Sequence, residues 1–317
     1  MKKVLVLGGT GFVGSHVCEK LARLSWRITV PTRHEVSARH LQMLPTVDIR
    51  SADIHDPVAL AHLVEGHDAV VNLVAILHGD ETAFNRAHVA LAQTIAQACI
   101  LSGVTRLVHV SALGASPKAP SMYQRSKARG ELALQSEHLD LTILRPSVIF
   151  GAQDKFLNVF AKLQQVFPLI PLAGASTRFQ PVWVEDVAQA IVNCLDDAGT
   201  SGQTYDLCGP DILSLRQLVE MAGRLGGTNQ GKGRPIIELP LVLGRFQAAL
   251  MSLLPGEPLM SRDNLDSMKV DNVADGLLPG LQALGIDPTP LEVIAPQYLA
   301  RVARQSVFQS TRSRAGR

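Results

Sequence analysis

The stretch VLVLGGTGFVGSHV, residues 4–17, constrains the fold more than any other part of the chain. An apolar run that suits a buried strand breaks into a glycine-spaced turn, and an amphipathic helical pattern follows at once. Gly8, Gly11 and Gly14 fall at the three positions where such a turn needs no Cβ: for the tight turn itself, for close approach of backbone to a pyrophosphate, and for helix-on-strand packing. Thr10, Phe12 and Val13 complete the loop, and the free amides of the following helix would face the anion. This places a dinucleotide-binding turn at the very start of the first βαβ unit.

The pattern then repeats. Strand-like runs occur at WRITV, VDIRS, DAVVNLV, RLVHVS and LDLTILRP, with helical periodicity in GFVGSHVCEKLARL, PVALAHLVE, 82–102 and 122–137. Alternation of short Val/Ile/Leu-rich strands with helices predicts an α/β fold, a doubly wound parallel sheet of the Rossmann kind. After Phe150 the rhythm breaks, returns in VWVEDVAQAIVNCL and QTYDLCG, and weakens again beyond Gly226. The expected organisation is a dinucleotide-binding domain over 1–150, rejoined by 181–208. A smaller C-terminal lobe for substrate or partner would comprise 151–180 and 209–317.

At the end of the second strand, ITVPTRH, an acid that would hold a ribose 2′-hydroxyl is missing, and Arg33 stands there instead. A guanidinium can grip a 2′-phosphate bidentately, which favours NADP(H) over NAD(H). Asp53 and Ile54 close the third strand at the adenine edge. Leu73, Val74 and Ala75 close the fourth, along the cofactor's path.

With these motifs, NLVA, YQRSK and RPSVIFG, the chain resembles the short-chain dehydrogenase/reductase superfamily in its extended and atypical branches. Through VHVSALGA, YQRSKARGE and LQALGIDPTPLE it also resembles proteins related to the alpha-subcomplex subunit 9 of respiratory complex I. The resemblance implies that Tyr123 is a general acid or base and that Lys127 holds the nicotinamide ribose and lowers the phenol's pKa. It also implies that a hydroxyl orients the substrate oxygen and that Pro146 and Val148 line the nicotinamide side. A free phenol titrates near ~10 and needs a neighbouring ammonium to work near neutrality. Ser111 is the candidate hydroxyl. The resembled pattern carries two hydroxyl residues there and uses the second, whereas this chain reads Ser111-Ala112, and a slip of one residue can turn a side chain away from the site. His88 stands where the pattern often has Asn.

Two function classes follow. One is an NADP(H)-dependent oxidoreductase moving hydride to or from the carbonyl or alcohol of a small-molecule substrate. The other is a non-catalytic NADPH-binding accessory protein near a respiratory or quinone-linked complex. A sugar-nucleotide epimerase or dehydratase is a third reading, without a recognisable diphosphate clamp in the C-terminal lobe.

Composition excludes other classes. A net charge of +2 does not suit nucleic-acid binding, and four scattered cysteines with no C-x-x-C indicate no zinc site or disulfide framework. The ten histidines show no metal-ligand spacing, so no metal is expected. A cytoplasmic location is expected, with peripheral contact at a membrane. The fourteen apolar-rich residues between Pro240 and Pro255 would span only about 21 Å as a helix, short of the ~30 Å bilayer core. That run fits burial in the C-terminal lobe, a subunit interface or a hydrophobic surface for lipid or quinone, and the five arginines and no acid of 301–317 fit a solvated terminus or an anchor to an acidic partner or lipid surface.

Overall fold

A computed structural model describes residues 1–240 and 261–300. The apolar run 239–256 and the basic tail 301–317, singled out above, lie mostly or wholly outside the described residues. The chain clusters into two units, Met1–Pro146 with Val184–Leu207 and Ala274–Asp287, and Ser147–Trp183 with Cys208–Val273 and Pro288–Arg317.

The first unit is built on β1 (Lys3–Leu7), α1 (Phe12–Arg23), β2 (Arg27–Thr32), β3 (Val47–Ser51), α2 (Pro57–Val64), β4 (Ala69–Asn72), α3 (Glu81–Phe84), α4 (Leu91–Ser102), β5 (Arg106–Val110), α5 (Met122–Gln135) and β6 (Asp140–Pro146). Its strands form a seven-stranded parallel sheet in the order β3-β2-β1-β4-β5-β6, with a last strand over Thr204–Leu207 beside β6. The order reverses between β1 and β4, which is where such a sheet opens a crevice at the carboxyl ends of its strands.

The strands are apolar on both faces because helices cover both. Leu5, Leu7, Val70, Leu107 and Ile143 pack with Leu60 and Val64 of α2 and Leu91, Ile95 and Cys99 of α4. On the other face α1 packs against the helix Val184–Asp196, whose buried Val184, Val187, Ile191 and Leu195 recur at helical spacing. Each of these side chains contributes about 1.5–3 kcal/mol on burial.

Two features depart from the sequence expectations. The helix expected over 82–102 is not uniform, because Asn85–Ala90 form a π-helical turn between α3 and α4. The stretch 209–317, expected as one lobe, also gives Ala274–Asp287 back to the first unit. That segment satisfies polar groups at the edge of the sheet: Asp206 N–H donates to the Pro279 carbonyl at 3.0 Å, and Asn193 Nδ2 donates to the Leu284 carbonyl at 2.8 Å.

The strand Thr204–Leu207, β11, belongs to the first unit, and the second unit contains β7 (Ile149–Phe150), α6 (Leu157–Val166), β8 (Ile170–Ala173), β9 (Arg178–Phe179), β10 (Val182–Trp183), β12 (Leu213–Ser214), α7 (Leu215–Leu225) and β13 (Ile236–Leu239). Three two-stranded ladders, β7 with β10, β9 with β12 and β8 with β13, surround a core of Phe150, Leu157, Phe179, Leu215, Leu218 and Leu299. Ser214 and Gln217 form a reciprocal capping box that starts α7. Buried Gln164 ties α6 to its neighbours, donating to the Val219 carbonyl and accepting from Arg234 N–H at 2.9 Å.

Candidate functional site

The phosphate turn stands fully formed. Gly8 has φ +83°, and a Cβ there would also press on Leu73 at 3.2–3.3 Å, so glycine is required both by conformation and by space. Gly11 N–H donates to the Gly8 carbonyl at 3.0 Å, and the first α-helical bond runs from Ser15 N–H to the Gly11 carbonyl at 2.9 Å. The amides of Phe12, Val13 and Gly14 therefore have no acceptor within the helix. The cap residue is Gly11, no side chain caps it, and no acid lies in the first turn. An uncapped helix N-terminus at the carboxyl edge of β1 fits a pyrophosphate. A Cβ at Gly14 would fall against the backbone of Gly8 and Gly9, and one at Gly9 would meet Val30 at 2.8–2.9 Å. Gly9 was missed by the spaced-glycine pattern, and only its closeness to β2 reveals it.

Arg33, expected at the adenosine end, follows β2, is exposed and makes no ion pair among the described residues. Asp53 is exposed, and its Oδ1 accepts from His55 N–H at 3.0 Å. Ile54 packs against the core cluster under α2. Burial lowers the His55 pKa, and the charges of Arg86 and then Arg33 push the same way. Arg86, on the π-helical turn, thus shares this positive region with Arg33, and no sequence pattern pointed to it.

At the end of β4 the amide of Asn72 is fixed from both sides. Its Oδ1 accepts from Val74 N–H at 3.1 Å, so its Nδ2 donates to His109 Nδ1 at 3.1 Å. The proton of His109 then sits on Nε2, which is buried without a partner among the described residues. Leu73 and Val74 are half-buried and Ala75 is exposed.

Tyr123 and Lys127, the residues expected to do acid–base work, lie on α5, whose N-cap Ser121 accepts from Gln124 N–H. Tyr123 and Lys127 are one turn apart on a common face. Tyr123 stands edge-on to Phe84 and His88, with centroids at 6.1 and 5.6 Å. Burial pushes its phenol up to about 12. Lys127 is 1% exposed, and its Nζ donates to the Val110 carbonyl at 2.7 Å. Burial lowers its ammonium to about 8, opposed by Glu131.

His88 holds this region together. Its Nε2 accepts from Ile76 N–H at 3.1 Å, which leaves the proton on Nδ1, donated to Ser126 Oγ at 2.7 Å. Ser126 Oγ in turn donates to the Tyr123 carbonyl at 2.7 Å. Burial, and then the Lys127 charge, lower His88 to about 3, so it is a neutral core histidine. The π-helical turn that carries it crosses α5 at Gly130, where a Cβ would run into the His88 carbonyl.

Ser111 follows β5, one residue from the carbonyl that holds Lys127. It is 4% exposed, and its Oγ has no hydrogen-bond partner among the described residues. Ala112 is buried beside it. Pro146 ends β6, and its carbonyl accepts from Leu113 N–H at 2.9 Å. Val148 belongs to the second unit and packs against that unit's own core. Among the described residues no group of three His, Cys, Asp or Glu could hold a metal ion, and no helix is long and apolar enough to cross a membrane.

The model of the NAD dependent epimerase/dehydratase family matches residues 4–208. The chain is 36% identical over 307 residues to NADH dehydrogenase [ubiquinone] 1 alpha subcomplex subunit 9, mitochondrial, of Mus musculus, covering 93% of this chain and 79% of that protein. It is 29% identical over 190 residues to the ceramide reductase of Caulobacter vibrioides, covering 60% of this chain and 59% of that one. Among solved structures, a dTDP-glucose 4,6-dehydratase from Streptomyces venezuelae with NAD and TYD bound superposes with a TM-score of 0.74 at 21% identity, covering 96% of this chain and 97% of the other.

Proposed function

Because the chain belongs to the NAD dependent epimerase/dehydratase family, we propose that its first unit holds a nicotinamide dinucleotide, NADP(H) in preference to NAD(H), as the resident group of an accessory protein in a respiratory, quinone-linked system. One contrast carries this reading. The glycine turn and the uncapped amides of α1 are ready for a pyrophosphate. The acid–base pair is not poised: the Tyr123 phenol is pushed up to about 12, while the Lys127 ammonium is engaged by the Val110 carbonyl. A phenol works as a base near neutrality only when a charge lowers its pKa.

Bound there, the dinucleotide would supply the capacity to give or accept hydride. The amides of Phe12, Val13 and Gly14 would hold its pyrophosphate, Arg33 its 2′-phosphate and Lys127 its nicotinamide ribose. Similarity to named subunits of NADH dehydrogenase runs well past residue 208, over 93% of the chain, which supports a partner role for the whole chain. The same role accommodates peripheral contact with a membrane, which co-sedimentation with anionic vesicles would test.

A second reading, a reductase of a carbonyl or alcohol, is favoured by Ser111. A buried hydroxyl with unmet hydrogen-bonding capacity suits a substrate oxygen.

The test is to purify the protein, release bound nucleotide by denaturation and quantify it. About one NADP(H) per chain and no turnover across a carbonyl and alcohol panel are expected. Failure to retain or bind either dinucleotide would sink the proposal. Turnover that disappears in Tyr123→Phe would move the function to the reductase reading.

A further inference from the structure

We propose that Glu131 is a positioning residue that keeps the ammonium of Lys127 charged inside the protein, and that Arg145 fixes the Glu131 carboxylate in place for that task. Its consequence for ligand binding rests on the reading of Lys127 as a nucleotide-ribose ligand. The effect on Lys127 itself does not.

Lys127 is in a hostile place for a cation. It is almost wholly buried, and its Nζ donates to a neutral carbonyl, that of Val110. From the π-helical turn it faces His88, and from β5 it faces His109, both held neutral by burial. On its own helix Tyr123 lies one turn before it, and its phenol is also neutral. None of these groups supplies negative charge. Glu131 does, one turn further along α5 on the same face. It is 3% exposed, and its effect on Lys127 opposes that of burial.

Arg145 of β6 holds the Glu131 carboxylate with a two-pronged contact, Nε to Oε1 at 3.0 Å and a terminal nitrogen to Oε2 at 2.5 Å. That geometry is the strongest available between these side chains. On its far side Arg145 is in register with Asp206 of β11, whose Oδ1 is buried without a partner among the described residues and whose charge, with that of Asp275, also bears on Arg145. The guanidinium therefore stands between two carboxylates and donates to Glu131. Charges alternate from Lys127 through Glu131 and Arg145 to Asp206, which is a path through the core rather than a surface pair.

The experiment is a pH titration of the lysine side chains by NMR, with ¹³Cε-labelled lysine, on the nucleotide-free protein. The Lys127 signal is identified by its absence in Lys127→Met. The wild-type midpoint is expected near about 8. Glu131→Gln should move it down by about one pH unit, and Glu131→Asp, which keeps the charge, should restore most of the difference. Since Glu131→Gln leaves a half-buried guanidinium unpaired, the double variant Glu131→Leu/Arg145→Met removes both partners, a change cores often accept. It too should lower the Lys127 midpoint. A midpoint unchanged in the folded double variant overturns the proposal, whatever the single variant does. NADPH affinity measured across the same pH range separates the two claims. If the Lys127 midpoint moves and affinity does not follow it, the ribose role of Lys127 fails while the role of Glu131 stands.

Discussion

Alanine at Gly14 and alanine at Gly11 should have different consequences, although both glycines belong to one motif. A Cβ on Gly14 would meet Gly9 Cα at 2.6 Å and Gly9 carbonyl carbon at 2.8 Å, both backbone atoms. Ordinary carbon contacts lie at ~3.5–4.0 Å, so the turn must give by about 1 Å. Overpacking of this kind costs about 1–3 kcal/mol, partly offset by the roughly 0.5–1 kcal/mol that alanine gains over glycine inside a helix. Net destabilisation should be about 0.5–2 kcal/mol. Moving the turn also misplaces amides meant for phosphate, and losing one charge-assisted hydrogen bond costs about 1.5–3 kcal/mol, or roughly 10- to 150-fold in affinity. At Gly11 the backbone is extended, with φ −80°, and the only near atom is the Gly8 carbonyl oxygen at 3.2 Å. Gly11→Ala should leave stability within about 0.5 kcal/mol of wild type and weaken nucleotide binding alone, by crowding the anion. Urea unfolding gives the first quantity and calorimetric titration with NADPH the second. If Gly14→Ala keeps wild-type stability and affinity, or if Gly11→Ala loses stability as Gly14→Ala does, the spatial account of this turn is wrong.

Other consequences can be measured directly. Arg33→Ala should cost about 1.5–3 kcal/mol of NADPH affinity and leave NADH affinity unchanged; equal losses for both would refute the phosphate contact. Tyr123→Phe should leave NADPH binding within about threefold (roughly 0.7 kcal/mol), whereas Lys127→Ala should weaken it. His88 is held at about 3 when folded, against 6.5 for a free histidine, so its neutral form contributes stability that is fully present above pH 6.5 and is lost as pH falls toward 3. His109 is lowered as well, so the urea-derived stability should fall between pH 6.5 and 5 with up to about 1.4 kcal/mol per pH unit for each histidine, and His88→Gln should remove about half of that slope. A slope unaltered in His88→Gln would show that His88 is not the titrating group.

The parallel sheet was legible because strand and helix periodicities differ and glycines punctuate them at fixed spacing. The site was legible where chemistry depends on local spacing: the turn at Gly8–Gly14, the one-turn offset of Tyr123 and Lys127, and the missing acid at Arg33. It was not legible where contacts join distant segments. Nothing in the residues near His88 reveals that Ile76 N–H will fix its tautomer from twelve positions away. Nothing near Lys127 reveals that the Val110 carbonyl will engage it. Nothing near Gly130 reveals that it is the crossing point for another backbone. The π-helical turn was hidden because five- and four-residue bonding leave nearly the same apolar pattern over six residues.

That turn has a consequence for how the chain can change length. A π-turn amounts to one residue more than an ordinary helix carries. Deleting a residue within Asn85–Ala90 would let the segment relax into regular α-helix, so the backbone itself would tolerate the loss. The side chains would not, since each residue of an α-helix turns its neighbours by about 100°. His88, inside the turn, would swing away from Ile76 and Ser126, whereas Phe84, ahead of the turn, would keep its place beside Tyr123. Alignment of this chain with a homologue one residue shorter here therefore needs its gap placed inside the turn, or the residues between the misplaced gap and the turn will be assigned to the wrong face.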